Sequence, residues 1–377
     1  MKIPFNKPFI VGKELDYIAE AVKRGHLAGN GLFTQKCQEL MENRFNAKRI
    51  FLTQSGTSAL EMAALLIDIK EGDEVILPSF TFVTTASAFA LRGAKIRFVD
   101  IRSDTLNMNE ELLESIISNK TKAIVPVHYG GNPCDMTSIN RIASTKNIRV
   151  IEDAAQGVNS RFKGKYLGTW GDVGIYSFHE TKNYICGEGG AIIINDENLI
   201  DKAEIILEKG TDRRSFLRGE IDKYSWMSLG SSYLPSELNA AFLYAQLEQM
   251  DKISNKRDAI IRRYCNGLTI LQERGIVRIP HECESSTGNN HMFYLIIEDM
   301  ARRDKYIDFM KKHGIQVVFH YVPLHSSPMG KEMGYREGDF PVTENLGSRL
   351  VRLPCYYDLD EADQDTVIRL TLDFFNG

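Results

Sequence analysis

Short apolar runs alternate with helical patterns through the first half of the chain, and this rhythm narrows the possible folds more than any other feature. Arg49–Thr53, Glu74–Pro78, 94–99, 123–127 and 148–151 each have the length and apolar content of a buried strand. Between them lie segments with helical apolar spacing, among them 56–65 and 84–92. Such alternation predicts an α/β fold with a mixed, mostly parallel sheet and helices on both faces, since parallel neighbours need a helix-length crossover. Ligands of such sheets sit beyond the carboxyl ends of the strands. Two helices are predicted ahead of the first strand, over 14–24, closed by Gly25, and over 33–45. A helix is predicted over 199–208, and one long helix over 233–253, entered at Pro235-Ser236-Glu237, with the length of a connector. The chain thereby divides into a large unit, 1–250, and a smaller C-terminal α/β unit, 251–377. The second carries strands over 290–297 and 316–319 and helices over 303–312 and 361–375. A chain of 377 residues, 43% of them hydrophobic, can fill two such cores.

The residues expected at the strand ends carry the chemistry. Ser55-Gly56-Thr57 opens a helix, where unpaired amides and the positive dipole end suit a phosphate; a plain Ser N-cap explains the same residues. No GxGxxG follows the first strand, so a dinucleotide site is unsupported. Asp153, just past an apolar strand, must reach solvent, cap a helix or meet a cation such as a protonated ring nitrogen. The run Gly174-Ile175-Tyr176-Ser177-Phe178 ends in His179-Glu180-Thr181-Lys182, and Gly187-Glu188-Gly189-Gly190 feeds the next apolar run, 191–194. A lysine held in such a loop can form an imine, because burial lowers its pKa and frees the amine. Further on, Phe319-His320-Tyr321-Val322-Pro323-Leu324-His325 places two histidines and a tyrosine at a strand end, a candidate pocket wall.

Other classes are disfavoured. A net charge of −4 without a long basic run argues against nucleic acid as a partner. The N-terminus lacks a signal-peptide core, and apolar runs are broken well before spanning length, so no membrane association is expected. Six scattered cysteines without a CxxC pair suggest reduced thiols in the cytoplasm, with neither disulfides nor a metal site; Cys186, near Lys182, reads as a packed side chain.

In combination, Ser55-Gly56-Thr57, Phe82, Asp153-Ala154-Ala155-Gln156, Ser177-Phe178-His179 with Lys182, and Gly187-Glu188-Gly189-Gly190 resemble the DegT/DnrJ/EryC1/StrS family over essentially the whole chain. The resemblance implies a fold-type I, aspartate-aminotransferase-like enzyme that uses pyridoxal 5'-phosphate and its pyridoxamine form. It implies that Lys182 forms the imine with the cofactor and shuttles the proton, and that Asp153 pairs with the ring nitrogen. Gln156 would reach the ring 3-oxygen, Phe82 would stack on the ring, and Gly56, Thr57 and Ser177 would hold the phosphate. Ser232 stands where most of the family has Asn reaching the phosphate from the partner subunit. The implied protein is a homodimer, or a dimer of dimers, with shared sites. The segments Gly230-Ser231-Ser232-Tyr233-Leu234 and 318–325 are most similar to members that move an amine from L-glutamate to C4 of dTDP-4-dehydro-6-deoxy-D-glucose. Their product is dTDP-4-amino-4,6-dideoxy-D-galactose for lipopolysaccharide and O-antigen synthesis, with His320, Tyr321 and His325 as candidate substrate contacts. The 4-amino-glucose epimer, a 3-amino sugar and a non-catalytic cofactor or sugar sensor are the rival readings. A sugar deoxygenase of the same family would carry His in place of Lys182.

Overall fold

The computed structural model describes residues 2–281 and 285–376. After α1 (Glu14–Arg24) and α2 (Leu32–Phe45) the chain alternates β1 (Arg49–Thr53), α3 (Gly56–Leu66), β2 (Glu74–Pro78), α4 (Val83–Ala90), β3 (Lys95–Val99), α5 (Leu113–Ile116), β4 (Thr121–Ile124), α6 (Met136–Lys146) and β5 (Arg149–Asp153). A small hairpin, β6 (Arg161–Phe162) and β7 (Lys165–Tyr166), precedes β8 (Val173–Ser177) and β9 (Gly190–Ile194). Apart from the hairpin these strands form one sheet of order β1-β9-β8-β5-β4-β2-β3. Pairing is parallel from β3 across to β8, while β9 runs antiparallel to both β8 and β1. The expected mixed, mostly parallel sheet is present.

Both sheet faces are covered, and the period of two decides which residue meets which layer. Ile50, Leu52 and Ile193 belong to one apolar core with Phe33, Met41 and Ile139. Phe51, Ile192 and Ile194 belong to the other, with Leu60, Phe89 and Ile206. The connection between β3 and β4 is lighter than the rhythm suggested, holding a 3-10 turn (Glu110–Leu112) and the four residues of α5.

Beyond α7 (Ile200–Leu207) and α8 (Arg213–Leu217), the single helix predicted over 233–253 is in fact two. α9 (Glu237–Glu248) starts at Ser236, whose side chain accepts from the Asn239 amide, and ends at Gln249, where φ −107° and ψ 18° leave the helical path. α10 (Met250–Glu273) then runs on. Its first turn packs Met250 and Ile253 into the large core, while Ile260, Tyr264, Leu268 and Leu271 pack into a separate one. That core backs an antiparallel sheet of β10 (Val277–Arg278), β12 (Phe293–Ile297), β14 (Leu350–Leu353) and β13 (Val318–Phe319); β11 (Ser286–Thr287) instead joins the β6–β7 hairpin. The N-terminus also packs here: Ile3 lies in this core and bridges to Ile315. Nothing local in residues 2–6 announces that long-range pairing. Among the described residues, no helix is long and apolar enough to cross a membrane, and no group of three or more His, Cys, Asp or Glu could hold a metal.

Candidate active site

The carboxyl ends of β1, β5 and β8 meet at a cavity of ≈ 370 Å³, closed on one side by the second unit. The turn after β1 leads into α3 through Ser55, whose extended backbone and side chain cap the Ser58 amide at 3.0 Å. The amides of Gly56 and Thr57 are left without intrahelical partners at the positive end of the dipole. Ser177, the last residue of β8, faces this turn. A Cβ on Gly56 would lie 3.1 Å from that of Ser177, so glycine admits the close approach. β9 enters with Gly190, where a Cβ would meet the Ser55 carbonyl carbon at 2.3 Å and the Gly56 nitrogen at 2.5 Å. The result is a cradle of amides and hydroxyls, which suits a phosphate.

Asp153 closes β5 and is buried. One carboxylate oxygen accepts from the Thr85 hydroxyl at 2.7 Å and the other from the Ala155 amide at 3.1 Å, so its orientation is set before any ligand arrives. Thr85 is in turn bonded to Thr81. The loop carrying Lys182 is pinned at its base by paired backbone bonds, Phe178 N to Gly189 O and Cys186 N to Phe178 O, with Phe178 fully buried beneath it. Cys186 is a packed side chain, as expected, its thiol donating to the Glu188 carbonyl. Lys182 projects half-buried into the cavity. Burial lowers its pKa from 10.5 to about 8; Asp153 opposes that fall and Arg352 adds to it.

The opposite wall comes from the second unit. The Gln156 side chain spans the two units, accepting from the Gly130 amide at 2.7 Å and donating to the Tyr321 hydroxyl at 2.9 Å. Tyr321 sits in the left-handed region, φ 51°, a strained conformation for an aromatic residue that its surroundings must enforce. Its ring stacks on His320 at 3.6 Å, and His320 Nδ1 is 2.7 Å from the Tyr129 hydroxyl. Burial, with Arg352 and Lys182 adding to it, holds His320 well below the usual histidine range, so the ring is neutral. His291 is likewise neutral through burial, and its Nδ1 bonds the Asn183 side chain at 2.9 Å.

Of the residues singled out in the sequence, Gly56, Thr57, Phe82, Asp153, Gln156, Ser177, Lys182, His320 and Tyr321 all line this cavity. His325 does not. It is fully buried between Ser79 (2.6 Å) and Glu344 (2.8 Å), and ties the segment after β13 to the large unit as a structural histidine. Ser232 is exposed and absent from the cavity of its own chain, its carbonyl accepting from Gln54 at 2.9 Å. Sequence reasoning missed Thr84, His291 and Arg352. Arg352 had a usable signal, a charge inside the otherwise apolar β14; the others had none.

The model of the DegT/DnrJ/EryC1/StrS aminotransferase family matches residues 8–371. GDP-perosamine synthase of Escherichia coli O157:H7 is 31% identical over 358 residues, covering 95% of this chain and 94% of that protein. A DegT DnrJ EryC1 StrS aminotransferase from Brucella abortus superposes with a TM-score of 0.87 at 30% identity, covering 97% and 96% of the two chains. A Streptococcus pneumoniae protein described as a sugar aminotransferase, solved in its PLP form, has a TM-score of 0.91 at 24% identity, covering 99% and 98%; at that identity the likeness speaks for the fold.

Proposed function

Since this chain belongs to the DegT/DnrJ/EryC1/StrS aminotransferase family, and is therefore a pyridoxal-phosphate-dependent sugar aminotransferase, we propose a specific reaction for it. It moves an amino group from L-glutamate to C4 of dTDP-4-dehydro-6-deoxy-D-glucose, giving dTDP-4-amino-4,6-dideoxy-D-galactose. The observation that carries the chemistry is a half-buried lysine amine with a pKa near 8 in one cavity with an oriented carboxylate and a helix N-terminus. The choice of sugar rests on the similarity of segments 230–234 and 318–325 to members with that substrate.

The residues present fit the cofactor. The Gly56 and Thr57 amides with the Thr57 and Ser177 hydroxyls would hold its phosphate, Asp153 its ring nitrogen, Gln156 its 3-oxygen and Phe82 a ring face. When bound, the cofactor supplies an electron sink through which the amine leaves glutamate and reaches the keto carbon. Lys182 does the acid–base work. Its lowered pKa leaves part of the amine unprotonated near neutral pH, able to attack a carbonyl carbon and then to carry the proton taken from the donor's α-carbon. Asp153 is held in place beside the site by the two hydrogen bonds it accepts. Gln156 has one amide hydrogen committed to Tyr321 and a second available to the cavity.

The test is NMR analysis of the product after incubation with dTDP-4-dehydro-6-deoxy-D-glucose and glutamate, with Lys182→Ala as control. An axial amine at C4 is expected. An equatorial C4 amine or a C3 amine would replace the sugar assignment, and absence of transfer by the wild type would reject it. Lys182→Ala should fall by at least about 1000-fold while its melting behaviour survives.

A further inference from the structure

His291 lies just ahead of β12 and lines the cavity from the second unit. A buried histidine usually ties loops together, and this chain has two fully buried cases, each using both ring nitrogens. His325 bonds Ser79 and Glu344, while His128 bonds Glu152 at 3.0 Å and its Nδ1 accepts from the Cys134 amide at 3.2 Å. His291 uses one nitrogen only, the Nδ1 that meets Asn183. Its Nε2 has no hydrogen-bond partner among the described residues. Which nitrogen carries the hydrogen follows from neighbours that each have a single possible role. The Asn289 backbone carbonyl can only accept, and it does so from the Asn183 side-chain nitrogen at 2.7 Å. The oxygen of that side chain therefore faces His291, and an amide oxygen also only accepts. Nδ1 must donate to it, which leaves Nε2 with a bare lone pair. The arrangement is anchored, since the Asn289 side chain donates to the Gln156 and Val158 carbonyls at 2.7 and 2.9 Å. Gly131 packs so closely that a Cβ there would lie 2.1 Å from Asn289 Oδ1. Burial first, then the positive charges of Lys182, Arg257 and Arg352, disfavour the imidazolium, so the lone pair is kept.

We propose that Nε2 of His291 accepts a hydrogen bond from the sugar hydroxyl next to the reacting carbon, and so selects sugars that carry it. This rests on the reading above, in which that carbon is C4. Lys182 handles the proton of the reacting carbon, and His291 lies near enough to feel its charge. Of the two ring neighbours of C4, C3 bears a hydroxyl, whereas C5 bears a methyl group and the ring oxygen and has no donor. Glutamate brings no hydroxyl, and its ammonium is the group being transferred, so a fixed acceptor in the wall serves the sugar. His291 is then a specificity-determining residue, with Asn183 and Asn289 as the positioning residues that hold its tautomer.

The test compares dTDP-4-dehydro-6-deoxy-D-glucose with its 3-deoxy counterpart. Calorimetry on the holoenzyme in its pyridoxal form, which does not aminate a keto sugar, reads binding without turnover. The wild type should bind the parent sugar about 10-fold or more tighter than the 3-deoxy sugar, the effect of leaving a built acceptor unpaired. His291→Asn keeps a donor for Asn183 but loses the acceptor at the Nε2 position. It should bind the two sugars within about 3-fold of each other, with the loss falling on the parent sugar alone. His291→Gln, whose carbonyl oxygen reaches the Nε2 position, should recover part of the preference. Loss of the cofactor's visible absorbance on adding glutamate should change by less than about 3-fold in both variants. Equal loss for the two sugars would make His291 a packing residue, and a loss in the glutamate step would assign its lone pair to the amino donor; either overturns the proposal. A wild type that does not distinguish the sugars, or binds neither, overturns it too. A wild type that distinguishes them in binding yet transfers no amine would instead reject the reaction above and leave the hydroxyl site standing.

Discussion

Lys182 is useful because it is uncomfortable. Its folded-state pKa, about 8, lies below the 10.5 of a solvated lysine, so the charged form is disfavoured in the fold. The resulting penalty is fully present below pH 8 and disappears as pH rises toward 10.5, where both states are neutral. Cofactor-free Lys182→Met should therefore melt higher than the wild type at pH 7, on the order of 2 °C, with the gap closing between pH 8 and 10.5. A constant gap across that range would mean that the amine is not desolvated. Asp153 is a buried carboxylate satisfied by Thr85 and Ala155. Asp153→Asn should fold but lose activity by about 30-fold or more, because an amide cannot supply the charge that a protonated ring nitrogen needs. An unchanged rate and cofactor spectrum in that variant would leave Asp153 as a helix cap. Both residues were legible in the sequence, since each is a charge placed at the end of an apolar run. His325 was misread for a related reason: proximity to His320 in the chain says nothing about which side of the backbone each ring leaves.

At the scale of elements, the cradle depends on how closely β9 can pass the β1–α3 turn. Gly190→Ala would push a methyl against the Ser55 carbonyl and the Gly56 amide, both backbone atoms that cannot rotate away. We expect a cost of about 1–3 kcal/mol or more, read as a lower melting temperature, together with loss of cofactor during gel filtration. Full cofactor occupancy in Gly190→Ala would show that the turn is free to shift. The Gly187-Glu188-Gly189-Gly190 run could be seen in the sequence as a turn feeding a strand. Which of its glycines meets another element, and which only bends the chain, depends on the antiparallel pairing of β9 with β1. The helix predicted over 233–253 shows the same limit. Apolar spacing continued through Gln249, while packing into two different cores parted the helix there.

At the scale of the whole molecule, the end of α8 and the segment between it and α9 expose Leu217, Tyr224, Trp226, Met227 and Leu229, an apolar surface with Ser232 at its end. We propose that this surface meets a second copy, and that Ser232 of one protomer reaches the cofactor phosphate of its partner. Mixing Lys182→Ala with a bulky Ser232 substitution tests it, since in a mixed dimer one site carries both lesions and the other neither. Partial recovery of activity is expected. No recovery despite demonstrated subunit exchange would place Ser232 in its own subunit's packing.

Periodicity and punctuation in the sequence were enough to determine a covered, mostly parallel sheet and to place Ser55, Asp153, Ser177 and Lys182 at its strand ends, because those features depend on local spacing alone. The opposite wall was decided by tertiary structure. His291, Tyr321 and Arg352 come from segments far apart in the chain, brought together by the antiparallel sheet of the second unit. The pairing of Ile3 with Ile315 and the ring of Phe5 beneath Arg352 bring the N-terminus to that wall as well. A side chain's partner across hundreds of residues is chosen by burial and register in the folded state, and those leave no periodic trace in the chain.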